Sequence, residues 1–173
     1  VAKILQDEYG ESVQLLHSRF LAVHRMELEE KITGELGKTQ ENRPRFCITV
    51  GTQVLEQSLD IDFDVLFTDL CPMDLLIQRM GRLHRHERER PAGLEKAKCY
   101  VMNANVTPDA ESVSIYGNYL LLKTQILLPD KIQIPNDIPL LVNQVYENHE
   151  HSLHTPELAE ALEKHKSFIN NQK

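Results

Sequence analysis

The sequence has few of the features that mark membrane or secreted proteins. Its 173 residues contain no run near the roughly 18 consecutive apolar residues of a membrane span. The first residues lack the basic segment and apolar run of a secretory signal. Only three cysteines occur, and none forms a CxxC pair. Isolated cysteines favour a reducing compartment over disulfides or zinc binding, so we expect a cytoplasmic protein without membrane contact.

Basic charge is also scarce overall. The formal net charge is −7, which argues against a protein that adheres to nucleic acid through charge alone. Residues 79–98 are the exception: seven Lys or Arg and three Glu give +4, and the remainder of the chain carries −11. The basic charge is therefore concentrated in one short segment.

Predicted strands and helices alternate over the first hundred residues. The strands are predicted at Val13–Leu16, Arg45–Val50, Val65–Thr68 and Lys98–Met102, and the helices at Val1–Glu8, Val23–Ile32 and Met73–Leu83, with a surface loop over 34–44. This alternation predicts an α/β domain with a parallel sheet flanked by helices. Ligands of such sheets bind at the C-terminal ends of the strands. Here those loops are His17–Phe20, Gly51–Ser58 and Asp69–Pro72.

The pattern changes after Asn103. Thr107–Pro108 has the residues of a helix N-cap and first turn, and predicts a helix to about Leu127. Further helices are predicted at Leu140–Tyr146 and from Thr155–Pro156 to about Ile169. We therefore expect a domain over 1–105 and an α-helical C-terminal extension over 106–173. Val1–Glu8 is expected to be the end of a helix that begins earlier.

The stretch Val65–Arg85 combines an apolar and a polar pattern. Its apolar residues recur at i, i+3, i+4 and i+7, namely Met73, Leu76, Ile77 and Met80. Gln78, Arg82 and Arg85 recur on roughly the opposite side of the predicted helix. Two permanently charged, forked guanidinium groups on one face suit phosphate oxygens. For an isolated helix, however, a solvated charged face is the more common explanation.

A second candidate site follows the predicted strand that ends at Val50. Gly51 allows close approach of a ligand, and the Thr52 hydroxyl with free backbone N–H groups can hold a phosphate. Asp60 is a carboxylate suited to a ribose hydroxyl. Taken alone, however, the same residues are better explained as an ordinary turn followed by a surface aspartate.

The two candidate sites together resemble a known family. The residues Gln78, Arg79, Gly81, Arg82 and Arg85 form the pattern Q-R-x-G-R-x-x-R, which resembles motif VI of superfamily 2 helicases. Thr52 and Asp60 stand at the spacing of motif V, and LLHSRF at Leu15–Phe20 is similar to the region of motif IV. The wording HSRF…VGTQVLEQSLDIDFD…LIQRMGRLHRH resembles the CRISPR-associated helicase-nuclease of type I systems, and the resemblance extends to about Glu147.

This resemblance implies a RecA-like fold and a set of residue roles. Arg82 and Arg85 are implied as arginine fingers on the γ-phosphate of ATP, Gln78 as the group that orients the nucleotide or water, and Asp60 as the ribose contact. Further nucleotide contacts are implied for Glu56, Arg79 and Gly81. Nucleic-acid contacts are implied for His17, Ser18, Arg19, Gly51, Thr52 and Gln53.

The implied function is that of the second RecA-like domain of an ATP-dependent single-stranded DNA translocase or helicase in CRISPR interference. No GxxxxGK[ST] occurs and no DExx acidic pair follows a predicted strand, so ATP and Mg²⁺ are expected to be held mainly by a first RecA-like domain, and none by this fragment alone. The implied partners are single-stranded DNA, that first domain, a histidine–aspartate nuclease domain (in the same chain or a separate subunit) and a crRNA-guided surveillance complex.

Two alternatives remain open from the sequence. One is another superfamily 2 enzyme acting on DNA or RNA, and the other is a helicase-like scaffold module that hydrolyses no ATP. Two further patterns are interpreted as non-functional. Gly37–Thr39 reads GKT but lacks the earlier glycine and preceding strand of a phosphate loop. Solvated histidines explain His149, His151 and His154 better than a metal site, because no cysteine lies near.

Overall fold

The computed structural model describes residues 1–17, 20–39, 41–52, 59–146 and 155–170, and its strands all lie before residue 103, interspersed with helices. The regular elements described after that point are helices. The elements in chain order are α1 Ala2–Tyr9, a 3-10 helix Gly10–Ser12, β1 Val13–Leu16, α2 Ala22–Leu36, β2 Ile48–Gly51, β3 Val65–Asp69, α3 Met73–Met80, β4 Lys98–Met102, α4 Ala110–Tyr116, α5 Asn118–Leu127, α6 Ile138–Tyr146 and α7 Pro156–Asn170.

Contacts divide the chain into two compact units. The first unit is Val1–Leu66 with Gly81–Lys98, and the second is Phe67–Met80 with Cys99–Lys173. The predicted boundary at residue 105 is a different division and stays a prediction. Within the part of the chain that the structure describes, no helix is both long and apolar enough to cross a bilayer.

The first unit is built on a parallel pair of strands. Strand β1 pairs with β2 in a register that sets Val13 opposite Ile48 and Leu16 opposite Gly51. Helix α2 carries apolar residues at i and i+4, Ile32 and Leu36, which pack on Leu16 in a core that also contains Ile61. The predicted parallel arrangement is therefore present in this pair, which places the loops after β1 and β2 at one edge.

The second unit is mainly helical. Strands β3 and β4 form a two-stranded sheet, and the predicted apolar face of α3 is buried at Met73, Leu76 and Ile77. Helix α3 packs on α6 through Leu141 and Val145. Helix α5 packs on α7, where Tyr119 contacts Leu158 and Ala161 inside this unit.

Three predicted helix boundaries are wrong. Helix α2 runs to Leu36 and not Ile32, so the predicted surface loop over 34–44 begins later. It ends at Gly37, where a β-carbon would collide with the carbonyl oxygen of Thr33 and lie 3.3 Å from that of Asp60. The predicted helix from Thr107 to Leu127 is two helices, because Gly117 breaks it with a φ of 80°. Its N-cap is Asp109, whose side chain accepts a 2.9 Å hydrogen bond from the Ser112 N–H.

The third boundary is the end of α3, at Met80 instead of the predicted Leu83. The backbone beyond it pairs with Phe63: the Phe63 N–H donates to the Arg82 carbonyl over 2.8 Å, and the His84 N–H donates to the Phe63 carbonyl over 3.1 Å. Because these groups bond to Phe63, they cannot continue the helical ladder. His84 adopts a positive φ of 46° in this extended segment. Strand β2 likewise begins at Ile48, three residues after the predicted start.

Candidate functional site

The ends of β1 and β2 bring two of the predicted ligand loops together. The Thr52 N–H donates a 3.3 Å hydrogen bond to the Leu16 carbonyl, so His17 and Thr52 follow neighbouring strands at the same edge. Gly51 and Thr52 are exposed, and the His17 ring stacks on Phe20 with centroids 4.0 Å apart. The Thr52 N–H is therefore not free for a ligand as predicted, and this edge offers the exposed Thr52 side chain and the exposed Gly51. Ser18, Arg19 and Gln53 lie outside the described residues.

Asp60 is the centre of the charged part of the site. Its Oδ1 accepts a 2.6 Å hydrogen bond from Arg85 Nε and lies 3.1 Å from His86 Nε2. The hydrogen bond from Arg85, with the charges of His86 and Arg85, lowers the pKa of the Asp60 carboxyl against the opposing effect of burial. About half of the Asp60 side chain is exposed, so the ionised carboxylate is accessible to a ligand. Glu56 lies outside the described residues.

Arg82 belongs to the same charged group. Burial and the positive charge of Arg85 lower the pKa of the Arg82 guanidinium, and the charge of Asp60 acts in the opposite direction. The charged groups of Arg82, Arg85 and Asp60 are therefore close enough to interact electrostatically. Two guanidinium groups beside one carboxylate leave an excess of positive charge suited to an anionic ligand such as a phosphate.

The predicted single helical face of Gln78, Arg82 and Arg85 is wrong. Helix α3 carries Gln78 but ends at Met80, and Arg82 and Arg85 lie in the segment that follows Gly81. That segment pairs with Phe63 as described above, which removes the helical spacing on which the prediction depended. Gln78 is exposed on α3.

Arg79 has contacts inside the second unit. Its Nη1 donates a 2.6 Å hydrogen bond to Thr68 Oγ1, and its Nη2 lies 3.3 Å from the Tyr116 hydroxyl. These bonds tie the end of α3 to β3 and to α4. The predicted nucleotide contact of Arg79 stays a prediction.

The third predicted loop, Asp69–Pro72, is mostly closed. Leu70 and Cys71 are buried, while Asp69 borders a cavity of about 180 Å³ within the second unit. Asp109 also borders this cavity, but its carboxylate caps α4 by accepting a hydrogen bond from the Ser112 N–H. Among the described residues, no group of three or more His, Cys, Asp or Glu is arranged to hold a metal ion. Gly37 ends a helix and so lacks the strand that precedes a phosphate loop, while the three histidines at 149, 151 and 154 lie outside the described residues.

Sequence reasoning missed a buried ion network beside Arg85. Asp62 is fully buried and pairs with Arg88 and Arg90, whose side chains are only 3% and 6% exposed. Arg90 also donates to Asp64 over 2.8 Å, and Arg43 binds the other Asp64 oxygen over 3.0 Å. The sequence does contain a signal for this network: Asp recurs at 60, 62 and 64, and Arg at 88 and 90. Residues at this spacing lie on the same side of an extended segment, so each set could face a common partner.

The network also reaches the backbone of the site. The Arg85 N–H donates to Asp62 Oδ1 over 3.0 Å, and Arg90 Nη2 donates to the His86 carbonyl over 2.7 Å. Arg88 and Arg90, which belong to the basic segment 79–98 noted in the sequence, therefore supply interior ion pairs. A buried carboxylate lowers the stability of the fold unless its charge is paired. The Asp62 carboxylate is paired with two guanidiniums and accepts a hydrogen bond from a backbone amide.

Comparisons with known proteins identify relatives of this chain. The family model described as CRISPR-associated nuclease/helicase Cas3, C-terminal, matches residues 1–88. A CRISPR-associated nuclease/helicase Cas3 of Streptococcus thermophilus is 51% identical over 84% of this chain, and a CRISPR-associated endonuclease/helicase Cas3 of Thermus thermophilus is 41% identical over 85%. The chain spans 16% of the length of each of these relatives.

Solved structures agree with these relatives. The crystal structure of T. fusca Cas3 matches 98% of this chain with a TM-score of 0.84 and 33% identity, over 20% of its own length. T. fusca Cas3-ATP matches 95% of this chain with a TM-score of 0.80 and 32% identity, over 19% of its own length. A chain of a CRISPR RNA-guided surveillance complex, pre-nicking, matches 96% with a TM-score of 0.77 and 31% identity, over 22% of its own length. These matches confirm the predicted RecA-like α/β class.

Proposed function

This chain belongs to the CRISPR-associated nuclease/helicase Cas3 family, and we propose that it acts as the second RecA-like domain of an ATP-dependent single-stranded DNA translocase or helicase in CRISPR interference. The observation that carries the proposal is the Arg82–Asp60–Arg85 group. It places two guanidiniums and a ribose-competent carboxylate together in the first unit. The matches to T. fusca Cas3-ADP and T. fusca Cas3-ATP support a nucleotide as the ligand.

Each residue of this group has a distinct role in the proposal. Arg82 and Arg85 neutralise charge that develops on the γ-phosphate, and Asp60 binds a ribose hydroxyl. Gln78 orients the nucleotide or the attacking water from α3. A first RecA-like domain holds the phosphates and Mg²⁺, and closure of the two domains around ATP completes the site.

The edge formed by His17, Gly51 and Thr52 is proposed to contact the DNA backbone. Its exposed hydroxyl and backbone groups suit phosphate and sugar, which carry no sequence information. Ser18, Arg19 and Gln53 are proposed to extend this contact. Sequence-independent contacts are what a translocase requires, since it must move along any strand.

The proposed partners follow from the relatives and not from this chain alone. A histidine–aspartate nuclease domain, in the same chain or a separate subunit, and a crRNA-guided surveillance complex are proposed to work with this domain. The match to a chain of a CRISPR RNA-guided surveillance complex, pre-nicking, supports the surveillance complex as a partner. The site of action is proposed to be the cytoplasm.

The test uses a full-length protein of this family that contains this domain. Arg82→Ala and Arg85→Ala should each lower kcat for ATP in the presence of single-stranded DNA by about a thousandfold, by analogy with arginine fingers. ATP binding should change much less. Arg45→Ala, which alters an exposed arginine of the same unit, is the matched control and should retain kcat.

Wild-type turnover in both finger variants would contradict the proposal. A wild-type protein that binds DNA but releases no phosphate from ATP would instead favour a non-hydrolysing scaffold module. Equal stimulation by RNA and DNA would favour another superfamily 2 activity.

A further inference from the structure

The backbone around Arg85 is fixed from both sides. Its N–H bonds to Asp62 Oδ1 over 3.0 Å, and the carbonyl of the next residue, His86, accepts a 2.7 Å hydrogen bond from Arg90. Before Arg85, His84 bonds through its N–H to the Phe63 carbonyl over 3.1 Å. The His84 ring nitrogen Nε2 lies 3.2 Å from the carbonyl oxygen of Asp64.

Residues 84–86 are thus held against residues 62–64 at successive positions. His84 keeps a positive φ of 46°, a conformation that non-glycine residues adopt only when their surroundings fix it. The bonds described above supply that constraint. The Arg85 side chain therefore leaves a backbone whose position is defined before any ligand arrives.

Asp62 can act in this way only because its charge is compensated. Arg90 approaches both carboxylate oxygens, with Nη2 3.0 Å from Oδ2 and 3.2 Å from Oδ1, and Arg88 pairs with Oδ2. The two guanidiniums compensate the Asp62 carboxylate in the interior, where its Oδ1 accepts the hydrogen bond from the Arg85 amide. Removing one guanidinium weakens the hold on the carboxylate and frees it to rotate.

We propose that Asp62 and Arg90 are positioning residues for Arg85, which they hold in the place where it meets a nucleotide phosphate. This inference rests on the function proposed above, since it concerns the same site. Neither residue touches the nucleotide in this proposal. Both act through the Arg85–His86 backbone, so their loss affects catalysis through misplacement of the guanidinium, a small displacement with a large effect on rate.

Arg90 is a better residue to alter than Arg88. Arg90 bonds through both terminal nitrogens, whereas Nε and Nη1 of Arg88 are buried without a hydrogen-bond partner among the described residues. Substituting Arg88 would therefore remove an ion pair and, at the same time, remove the two buried nitrogens that lack a hydrogen-bond partner in the described part of the chain. These two changes affect stability in opposite directions, so the result would be harder to interpret. Arg43 provides the matched control, because it binds Asp64 and the Asp62 carbonyl but neither the Asp62 carboxylate nor residues 85–86.

The experiment measures ATP turnover with single-stranded DNA in the full-length protein. Arg90→Gln should lower kcat about tenfold or more with KM for ATP changed less than about twofold, since misplacement acts on the reacting geometry. Arg43→Gln should keep kcat within about twofold of wild type at a comparable loss of thermal stability. Arg90→Lys, which retains one charge near Asp62, should recover part of kcat and serves as the folded reference if Arg90→Gln is insoluble.

A double variant separates positioning from general destabilisation. In an Arg85→Ala background, Arg90→Gln or Arg90→Lys should lower kcat no further, because there is no guanidinium left to position. An equal loss of kcat in both backgrounds, or an equal loss from Arg43→Gln, would overturn the positioning role. Wild-type turnover in Arg85→Ala alone would instead overturn the proposed function, so the two failures are distinguishable.

Discussion

Arg85 Nε donates a 2.6 Å hydrogen bond to Asp60 Oδ1, so two residues proposed for opposite ends of one nucleotide are bonded to each other. The ribose and the γ-phosphate of ATP are separated by two further phosphates. Arg85 and Asp60 therefore cannot serve both ends while they remain paired. In the proposed function, binding of ATP separates the two side chains, and the exposed half of Asp60 makes this exchange accessible to solvent.

The ribose contact of Asp60 is the first prediction. In the full-length protein, Asp60→Asn should raise KM for ATP about tenfold, because a charge-assisted hydrogen bond is lost. The effect on kcat should be smaller than that of Arg85→Ala, since Arg85 remains present. Steady-state ATP hydrolysis over a range of ATP concentrations measures both constants.

A modified nucleotide is the control for this assignment. With 2′,3′-dideoxy-ATP no ribose hydroxyl is available, so wild type and Asp60→Asn should have similar KM values. A tenfold difference that persists with this nucleotide would show that Asp60 acts elsewhere, for example only by holding Arg85.

Much of the fold could be predicted because local patterns determine it. The ends of β1 and β4 match the predicted residues, and the apolar stripe of α3 is buried as expected. The end of α3 could not be predicted, because it depends on backbone bonds between Phe63 and residues 82–84. No local sequence signal reports a partner about twenty residues away.

The candidate site shows the same division. The motif spacing identified Asp60, Arg82 and Arg85, and the structure brings these three together. The motif spacing did not reveal the bond between Asp60 and Arg85, nor the buried ion pair of Asp62 and Arg90. The alternating aspartates and arginines are visible in the sequence, but a charged residue is usually solvated, and only the tertiary fold shows which charges are interior and paired.

Acid sensitivity of the ion network is the second prediction. Burial opposes ionisation of Asp64, but hydrogen bonds from Arg90 and Arg43 outweigh it and hold its pKa below the usual 3.8. A lowered pKa contributes stability above pH 3.8 that is lost as the pH falls through the value in the folded state. Asp64→Asn should therefore cost about 1–3 kcal/mol near neutral pH and progressively less at lower pH.

Thermal unfolding of wild type and variant at a series of pH values tests this prediction. Glu160→Gln is the matched control, because Glu160 pairs with Lys164 over 2.6 Å on the exposed surface of α7. That pair is fully exposed to solvent, so Glu160→Gln should change the free energy of unfolding much less than Asp64→Asn. A stability difference for Asp64→Asn that stayed constant down to acid pH would contradict the assignment.

Two glycines of the same helical region supply the third prediction. Gly34 lies within α2 with open space around its position, so Gly34→Ala should stabilise the chain by up to about 1 kcal/mol. Gly37→Ala places a β-carbon against the backbone of Thr33 and should destabilise it by about 1–3 kcal/mol. Denaturant unfolding of both variants measures the difference, and equal effects of the same sign would refute the close approach at Gly37.

The isolated chain provides the last prediction. Its sequence has no GxxxxGK[ST], and its one DE pair, Asp7–Glu8, lies within helix α1 and not after a strand, so the residues that hold triphosphate and Mg²⁺ are expected on another domain. The purified 173-residue chain should therefore release no phosphate from ATP, with or without single-stranded DNA. The Arg82→Ala/Arg85→Ala double variant controls for contaminating ATPases, which these changes cannot affect. Phosphate release that the wild-type chain shows and the double variant lacks would mean that the chain holds a complete site, and the division of the ATPase between two domains would have to be abandoned.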